Sequence, residues 1–224
     1  MVSIDTVYQK VLAFANKEQR GYVTPQEFNL FADHAQKEIF EQYFYDLNQY
    51  MRVPGNSEEY SDIIHNINEK IVIFESISNI NYGVIDNDDI YRLGTIIANN
   101  NLIVEEVQQD DILEMNMSYL TRPTPNRPVY VRTGMNSAQF YPTYSFTGSC
   151  TYIRKPSKPN WGYVVVNSKA MYDPTNKIDF ELHPAEETEL IYKILKFAGL
   201  AMRRDDIAKG GQGLESLQIQ QEKQ

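Results

Sequence analysis

An α+β fold is predicted for this chain from three observations. Near both ends, apolar residues recur every three or four positions, the period of a helix with one buried face. Between about Ile71 and Leu182 the period shortens. There, runs rich in Ile, Val, Tyr and Phe stand between Gly, Pro, Asn and Ser, as strands and turns do. Beyond the last periodic segment, Gly210, Gly211 and Gly213 fall close together, a composition that predicts a flexible joint. The expected architecture is a helical bundle formed by the N- and C-terminal helices, a central antiparallel β-rich domain on it, and an extended C-terminal arm. Its segments are 1–70 for the N-terminal helices, 71–182 for the β-rich domain, 183–204 for a C-terminal helix packing on the bundle and 205–224 for the flexible arm.

The first helix places Ile4, Val7, Tyr8, Val11, Leu12 and Ala15 on one side, with Ser3 as its cap. A longer helix follows from Pro25 to Tyr50, roughly 39 Å at about 1.5 Å per residue. Its large side chains, among them Phe40, Tyr43, Phe44, Tyr45 and Tyr50, surround much of its circumference, which predicts burial on several sides. "RVPGNSEEY" breaks it, and a third helix carries Tyr60, Ile63, Ile64, Ile67 and Ile71. "IVIFESISNI", "IYRLGTIIA", "PVYVRTG", "AQFYPTYSF", "SCTYIRKP", "WGYVVVN" and "KIDFEL" read as strands. Asp110 or Asp111 is placed to cap a short helix carrying Ile112, Leu113 and Met117. In the last long helix Pro184 starts the first turn, and Glu186, Glu187 and Glu189 sit at the positive end of its dipole. Arg203 and Arg204 sit at the negative end, and Leu190, Ile191, Ile194, Leu195, Ala198 and Met202 form its apolar stripe.

"NKEQRGYVTPQEF", Asn16 to Phe28, matches part of a calcium-loop pattern, with Gly21 at loop position 6, Thr24 at 9 and Glu27 at 12. Arg20 stands at position 5, where an oxygen ligand belongs, and Asn16 and Glu18 bring too little negative charge. A capping box explains the matches instead. Thr24 caps, Pro25 begins the helix, Glu27 reaches back to the Thr24 amide, and Gly21 ends the preceding helix. An EF-hand-like calcium-binding module is the lesser alternative.

The formal net charge is −9, which disfavours free nucleic acid as a ligand of the body as a whole. No apolar run approaches the ~20 residues of a membrane span, and "MVSIDTVYQK" shows no basic, then apolar, signal pattern. A lone cysteine, Cys150, excludes an internal disulfide and fits a reducing place of folding. Sixteen tyrosines against one tryptophan suit surfaces that must be apolar and hydrogen-bonding together.

Constellations for chemistry are weak. His34, His65 and His183 lie far apart in sequence and from Cys150, so no zinc spacing exists and no metal or cofactor is expected. His183 reads as a cap-region residue, Cys150 as a small buried hydrophobe and "DNDD" at Asp86 to Asp89 as a solvated turn. Arg154, Lys155 and Lys158 near Tyr152 and Trp161 read as a projecting docking loop ahead of a nucleic-acid contact. A hydrolase with an unrecognised carboxylate pair is the rival from the enzyme class. In the arm, Leu214 and Leu217 are three apart and would share one face of a short helix. With Ile219 they are the candidate interaction residues, since a merely solvating tail has no use for them.

Three stretches resemble a known family: "NKEQRGYVTPQEFNLFADHAQKEIFEQYFYDLNQY", "YIRKPSKPNWGYVV" and "FELHPAEETELIYKILKFAGLAMRRDDIAKGGQGLESLQIQQEKQ". They are similar to virion neck proteins of short-tailed phages, especially those of crAss-like phages of Bacteroidetes. The resemblance implies a non-enzymatic structural protein of the head-to-tail connector, a portal adaptor forming a homo-oligomeric ring, twelve-fold, below the portal. It implies the portal protein and other neck or tail proteins as partners, with DNA passing through the channel without sequence-specific binding. The chain would be made in the host cytoplasm and reside in the virion. An acidic, weakly repulsive lumen would let DNA slide. Another tail or internal capsid protein is the nearest alternative.

Overall fold

The computed structural model describes residues 1–15, 23–52, 58–82, 84–85, 87, 89–98, 101–134, 136–142, 147–201 and 205–222. In chain order the elements are α1 (Ile4–Ala15), α2 (Pro25–Arg52), α3 (Glu58–Val72), β1 (Glu75–Asn81), β2 (Val84–Ile85), β3 (Ile90–Ala98), β4 (Ile103–Glu106), α4 (Gln109–Met117), β5 (Val129–Arg132), β6 (Ala138–Tyr141), β7 (Thr147–Arg154), β8 (Tyr163–Val166), β9 (Lys169–Tyr172), α5 (Glu187–Ala201) and α6 (Asp205–Glu222). The fold is mixed α+β. It divides into a helical unit, Met1–Ile73 with Pro156–Gln224, and a sheet unit, Phe74–Lys155. Among the described residues no helix is long and apolar enough to cross a membrane.

The helical unit follows its apolar stripes. Ile4, Val7, Tyr8, Val11 and Ala15 of α1 are buried, as are Phe28, Ala32, Ala35, Ile39, Phe40 and Tyr43 of α2. α5 buries Leu190, Ile191, Ile194, Leu195 and Ala198 and packs against α1 and α2, while α2 also meets α3. The α2 start is the capping box that the sequence predicts. Glu27 Oε2 accepts from the Thr24 amide at 3.0 Å and from its hydroxyl at 2.8 Å, and the Glu27 amide donates to Thr24 Oγ1 at 3.3 Å. Gly21 and the first seven residues of the calcium-like stretch lie outside the described residues.

The unit boundary differs from the expected 71–182 domain. Residues 156–182 belong with the helices, because two polar side chains of α2 and one indole tie them there, and Glu181 pins the segment to itself. Gln36, fully buried on α2, donates to the Ser157 carbonyl at 2.8 Å and accepts from the Glu181 amide at 3.2 Å. Asn29 accepts from the Trp161 amide at 2.8 Å and donates to Asn160 Oδ1 at 3.0 Å. Glu181 accepts from the Ser157 amide and hydroxyl, both at 2.9 Å. Trp161 is buried, lies 4.3 Å from the Tyr8 ring and donates from its indole to Asp5 Oδ1 at 2.9 Å. "KIDFEL" is not a strand. It is stitched by single bridges, Ile178 to Asn160 and Phe180 to Val2, while Phe180 and Leu182 are buried.

The glycine-rich segment is helical, contrary to the expected flexible arm. α6 packs along α5, and a Cβ on Gly211 would stand 3.1 Å from the Lys196 nitrogen and 3.2 Å from the Tyr192 carbonyl. Gly211 is there for close approach of two helix backbones, and that approach supplies the burial that offsets glycine's poor helix propensity.

The sheet unit holds seven strands in the order β2-β1-β7-β3-β4-β5-β6. All neighbours are antiparallel except β4 and β5, which run parallel; the purely antiparallel expectation fails there because α4 supplies the crossover that a parallel pair requires. The two edges approach each other. Val84 bridges Ser137, and the Ile85 amide donates to the Asn136 carbonyl at 3.0 Å, so the sheet nearly closes on itself. Closure needs curvature, and β3 supplies it with register shifts against β7. Beside Gly94, where a Cβ would meet Thr151 Oγ1 at 2.7 Å, the Thr151 hydroxyl accepts from the Thr95 amide at 3.0 Å. The interior is filled by a cluster that includes Ile80, Ile90, Ile96, Tyr130, Phe140, Cys150 and Tyr152. Val129 and Val131 point the other way and are covered by Ile112 of α4. α4 carries no side-chain cap from Asp110 or Asp111, since its N-cap is Gln108, and Leu113 and Met117 are exposed, not buried.

The capping box gives a direct test. The backbone hydrogen bond from Thr24, then its hydroxyl, holds the Glu27 carboxyl below its ordinary value. Its contribution is therefore present above the unfolded-state value and is lost as pH falls through the folded one. Thr24→Ala is expected to cost about 0.5–2 kcal/mol in urea unfolding near neutral pH. Millimolar calcium is expected to leave the melting temperature of the parent chain unchanged.

Candidate functional site

The most unusual chemistry lies where α2, α5 and α6 meet. Lys193 is 1 % exposed. Its ammonium stands 2.7 Å from Glu215 Oε1 of α6, 3.4 Å from Glu38 Oε1 of α2 and 3.4 Å from Glu189 Oε1 one turn earlier on α5. Lys196 adds a second ammonium 3.1 Å from Glu215 Oε2. Three carboxylates therefore surround two ammoniums, and α6 is anchored by charge as well as by close packing. Burial alone would lower Lys193, but the Glu215 hydrogen bond and the fields of Glu189, Glu215 and Glu38 outweigh it and hold the ammonium above its ordinary value. For Glu215 burial acts upward, and the hydrogen bonds and charges of Lys193 and Lys196 bring it below the ordinary value.

A cavity of about 350 Å³ opens between α2, α3 and the start of α5. Ile39, Tyr43 and Ile67 give it apolar wall, and Asp46, Glu69, Glu186 and Glu189 line it against one cation, Lys70. Lys70 is itself committed, 2.5 Å from Glu186 Oε1 and 5.7 Å from the Tyr43 ring centroid. Two of the carboxylates are held by lysines, Glu186 by Lys70 and Glu189 by Lys193, a geometry suited to joining helices. Among the described residues no group of three or more His, Cys, Asp or Glu side chains is placed to hold a metal ion.

The predicted interaction residues fall on α6. Leu214 and Leu217 are both exposed, three apart on a fixed helix instead of a mobile arm, and Glu215 between them is turned inward. The Ile219 side chain lies outside the described residues. Of the basic-aromatic cluster, Tyr152 is core of the sheet unit and Trp161 is core of the helical unit, so neither aromatic projects, while Lys155 and Lys158 are exposed. His183 caps the short turn Pro184–Glu186 by accepting from the Ala185 amide at 3.2 Å, and Cys150 is buried.

Sequence reasoning treated β8 as one strand among many. It forms a two-stranded ribbon with β9, separate from the large sheet. Asn167 and Ser168 both take positive φ at its tip, 50° and 61°, as a tight two-residue hairpin turn requires. Tyr163 and Tyr172, a cross-strand pair, stack on Trp161 at 6.0 and 5.7 Å and root the base. Gly162 lets it leave the body, since a Cβ there would meet the Asp173 carbonyl at 2.6 Å. Beyond the base the ribbon is apolar and open: Val164, Val166 and Met171 share one face with Lys169, and Val165 on the other face is 63 % exposed. A two-stranded ribbon is marginal in water, and exposed valines on both faces mark a surface that awaits cover. In the sheet unit, Met117, Tyr119 and Leu120 form a second exposed apolar run. A tyrosine opening an all-valine run ahead of an Asn-Ser turn, with a second tyrosine closing the return strand, is the signal that could have found the ribbon.

Compared with known proteins, the chain matches no protein-family model and no curated protein.

Removing the central ammonium takes away the cation shared by three carboxylates, two of them buried, so Lys193→Met is expected to cost about 3–5 kcal/mol and to speed amide exchange along α6. The sign of the pH dependence follows from the two shifts. The Glu215 contribution is complete above its unfolded-state value, near 4.5, and is lost as pH falls through the lower folded one. The Lys193 contribution is complete below 10.5 and is lost as pH rises through the higher folded value. Urea midpoints measured across pH are expected to fall in acid for the parent chain, and less steeply for Glu215→Gln.

Proposed function

We propose that this chain is a structural subunit of the head-to-tail connector of a short-tailed phage. In that role it forms a ring, twelve-fold by family resemblance, below the portal, leaves a channel for DNA and offers a docking site to the tail. It acts in the virion and is not an enzyme. The resemblance of the stretches around Asn16–Tyr50, Tyr152–Val165 and Phe180–Gln224 to phage neck proteins supports the family. The observation that carries the assembly role is the surface: a rooted apolar ribbon, β8–β9, together with Leu214 and Leu217 exposed on a helix held firmly by Lys193. Such a distribution places apolar area on rigid supports, where it costs solubility in the free subunit and gains burial on assembly. The exposed Tyr45 on α2 belongs to the same reading, since it is left open within the subunit and a neighbour can cover it.

The leucines are the handle for a test. Both are exposed, so the pair Leu214→Glu and Leu217→Glu is expected to change stability by no more than about 0.5 kcal/mol. The same pair is expected to remove the chain from assembled necks, measured by its copy number in purified particles and by particle infectivity. Normal necks and infectivity with the double variant would sink the docking role of this face. A map of the virion neck showing isolated single copies would sink the ring.

A further inference from the structure

We propose that the β8–β9 ribbon of one copy docks tip-first on the acidic α2–α3–α5 cavity of a second copy. The inference rests on the reading of the chain as a ring subunit and names the contact that would join neighbours. Three observations converge on it. The ribbon presents Val164, Val166 and Met171 on one face with Lys169 at its tip, and its outer part touches nothing that would neutralise the lysine among the described contacts. The cavity has the reciprocal chemistry, apolar walls with four carboxylates, of which Glu186 is held by Lys70 and Glu189 by Lys193, while Asp46 and Glu69 add further negative charge. Its volume of about 350 Å³ falls within the ~300–1,000 Å³ typical of built ligand sites, room for a lysine side chain but not for a whole ribbon.

Charge decides the occupant. The ribbon segment from Pro156 to Asp179 carries Lys158, Lys169 and Lys177 against Asp173 and Asp179, the latter 2.8 Å from Lys177, and so keeps a net positive charge in a chain whose formal charge is −9. This basic segment is therefore attracted to the acidic remainder of another copy, whereas nucleic acid would be repelled by that remainder. Ribbon and cavity are different patches of the same helical unit, so the contact is heterologous and propagates head to tail, the arrangement from which closed rings are built. Lys169 would meet Glu69 at the rim, where this carboxylate is two-thirds exposed and, among the described residues, pairs with His65 at 3.5 Å. The ribbon's valines would cover the apolar wall beside it.

The test uses the full chain. Lys169→Cys protein is mixed with Glu69→Cys protein at high concentration under mild oxidation, with the buried Cys150 retained. An intermolecular disulfide between the two variants is expected, well above that formed when Glu69→Cys is replaced by Lys37→Cys on the exposed side of α2. A yield no greater than that control overturns the proposal. Charge reversal gives the second arm. Lys169→Glu or Glu69→Lys alone is expected to weaken self-association by about tenfold, and the two reversals mixed as separate chains are expected to restore it. Failure of the mixture to recover association overturns the pairing. The ring reading is judged independently by the virion map: a ring whose neighbours meet elsewhere removes this contact alone, whereas a crosslink in solution with no ring in the neck removes the connector role and leaves the contact.

Discussion

A buried ammonium must be neutralised where it stands, and Lys193 sets this requirement for the helical unit. Its charge cannot be left in an apolar core without partners, and its partners come from three helices: Glu38 of α2, Glu189 of α5 and Glu215 of α6. Each of those carboxylates in turn needs the ammonium. The cluster therefore specifies one register of α6 on α5, the register in which Gly211 meets the α5 backbone and Glu215 faces inward. Glycines that would otherwise weaken a helix become the means of bringing its charge to the right place. An acidic chain can carry this arrangement because the excess carboxylate is shared between two lysines, not stacked against itself.

The same logic of satisfying buried polar groups attaches the segment after the sheet. Gln36 and Asn29 sit on α2 with their amides committed to backbone groups of residues 157–181, so the segment has hydrogen-bond partners along its length without being a strand. Trp161 converts that attachment into a foundation. Its indole nitrogen is held by Asp5, one side of the ring meets Tyr8, and Tyr163 and Tyr172 stack on it, so a ribbon that would be marginal alone has a fixed base. Rigidity at the base and exposure beyond it are what a docking element needs, since little conformational freedom is left to lose on binding.

The sheet unit solves a different problem. Seven short strands leave two edges, and a bridge between Val84 and Ser137 brings those edges together instead of leaving both open to pairing with other chains. Curvature comes from the irregular pairing of β3 and β7 near Gly94, and the polar groups released there are taken up by the Thr151 hydroxyl. The exposed run at Met117, Tyr119 and Leu120 spans the end of α4 and the connection after it, an apolar surface open to a neighbour.

The sequence by itself determined what depends on residues close together in the chain. The spans of α1 and α2, the Thr24–Glu27 box, the His183 cap and the runs that become β3 and β7 were legible, because helical stripes, caps and β-branched runs are written within a few positions of one another. The tertiary structure decided what depends on distant partners. Gly211 reads as a hinge until Lys196 and Tyr192 are beside it, Glu215 reads as tail charge until Lys193 lies 2.7 Å away, and Trp161 reads as a loop anchor until Tyr8 and Asp5 enclose it. Likewise the valines of β8 look like core in sequence, and only the absence of a third strand beside the ribbon leaves them in water. Burial is a property of the whole assembled chain, and local periodicity fixes which residues share a face but not what lies across from it.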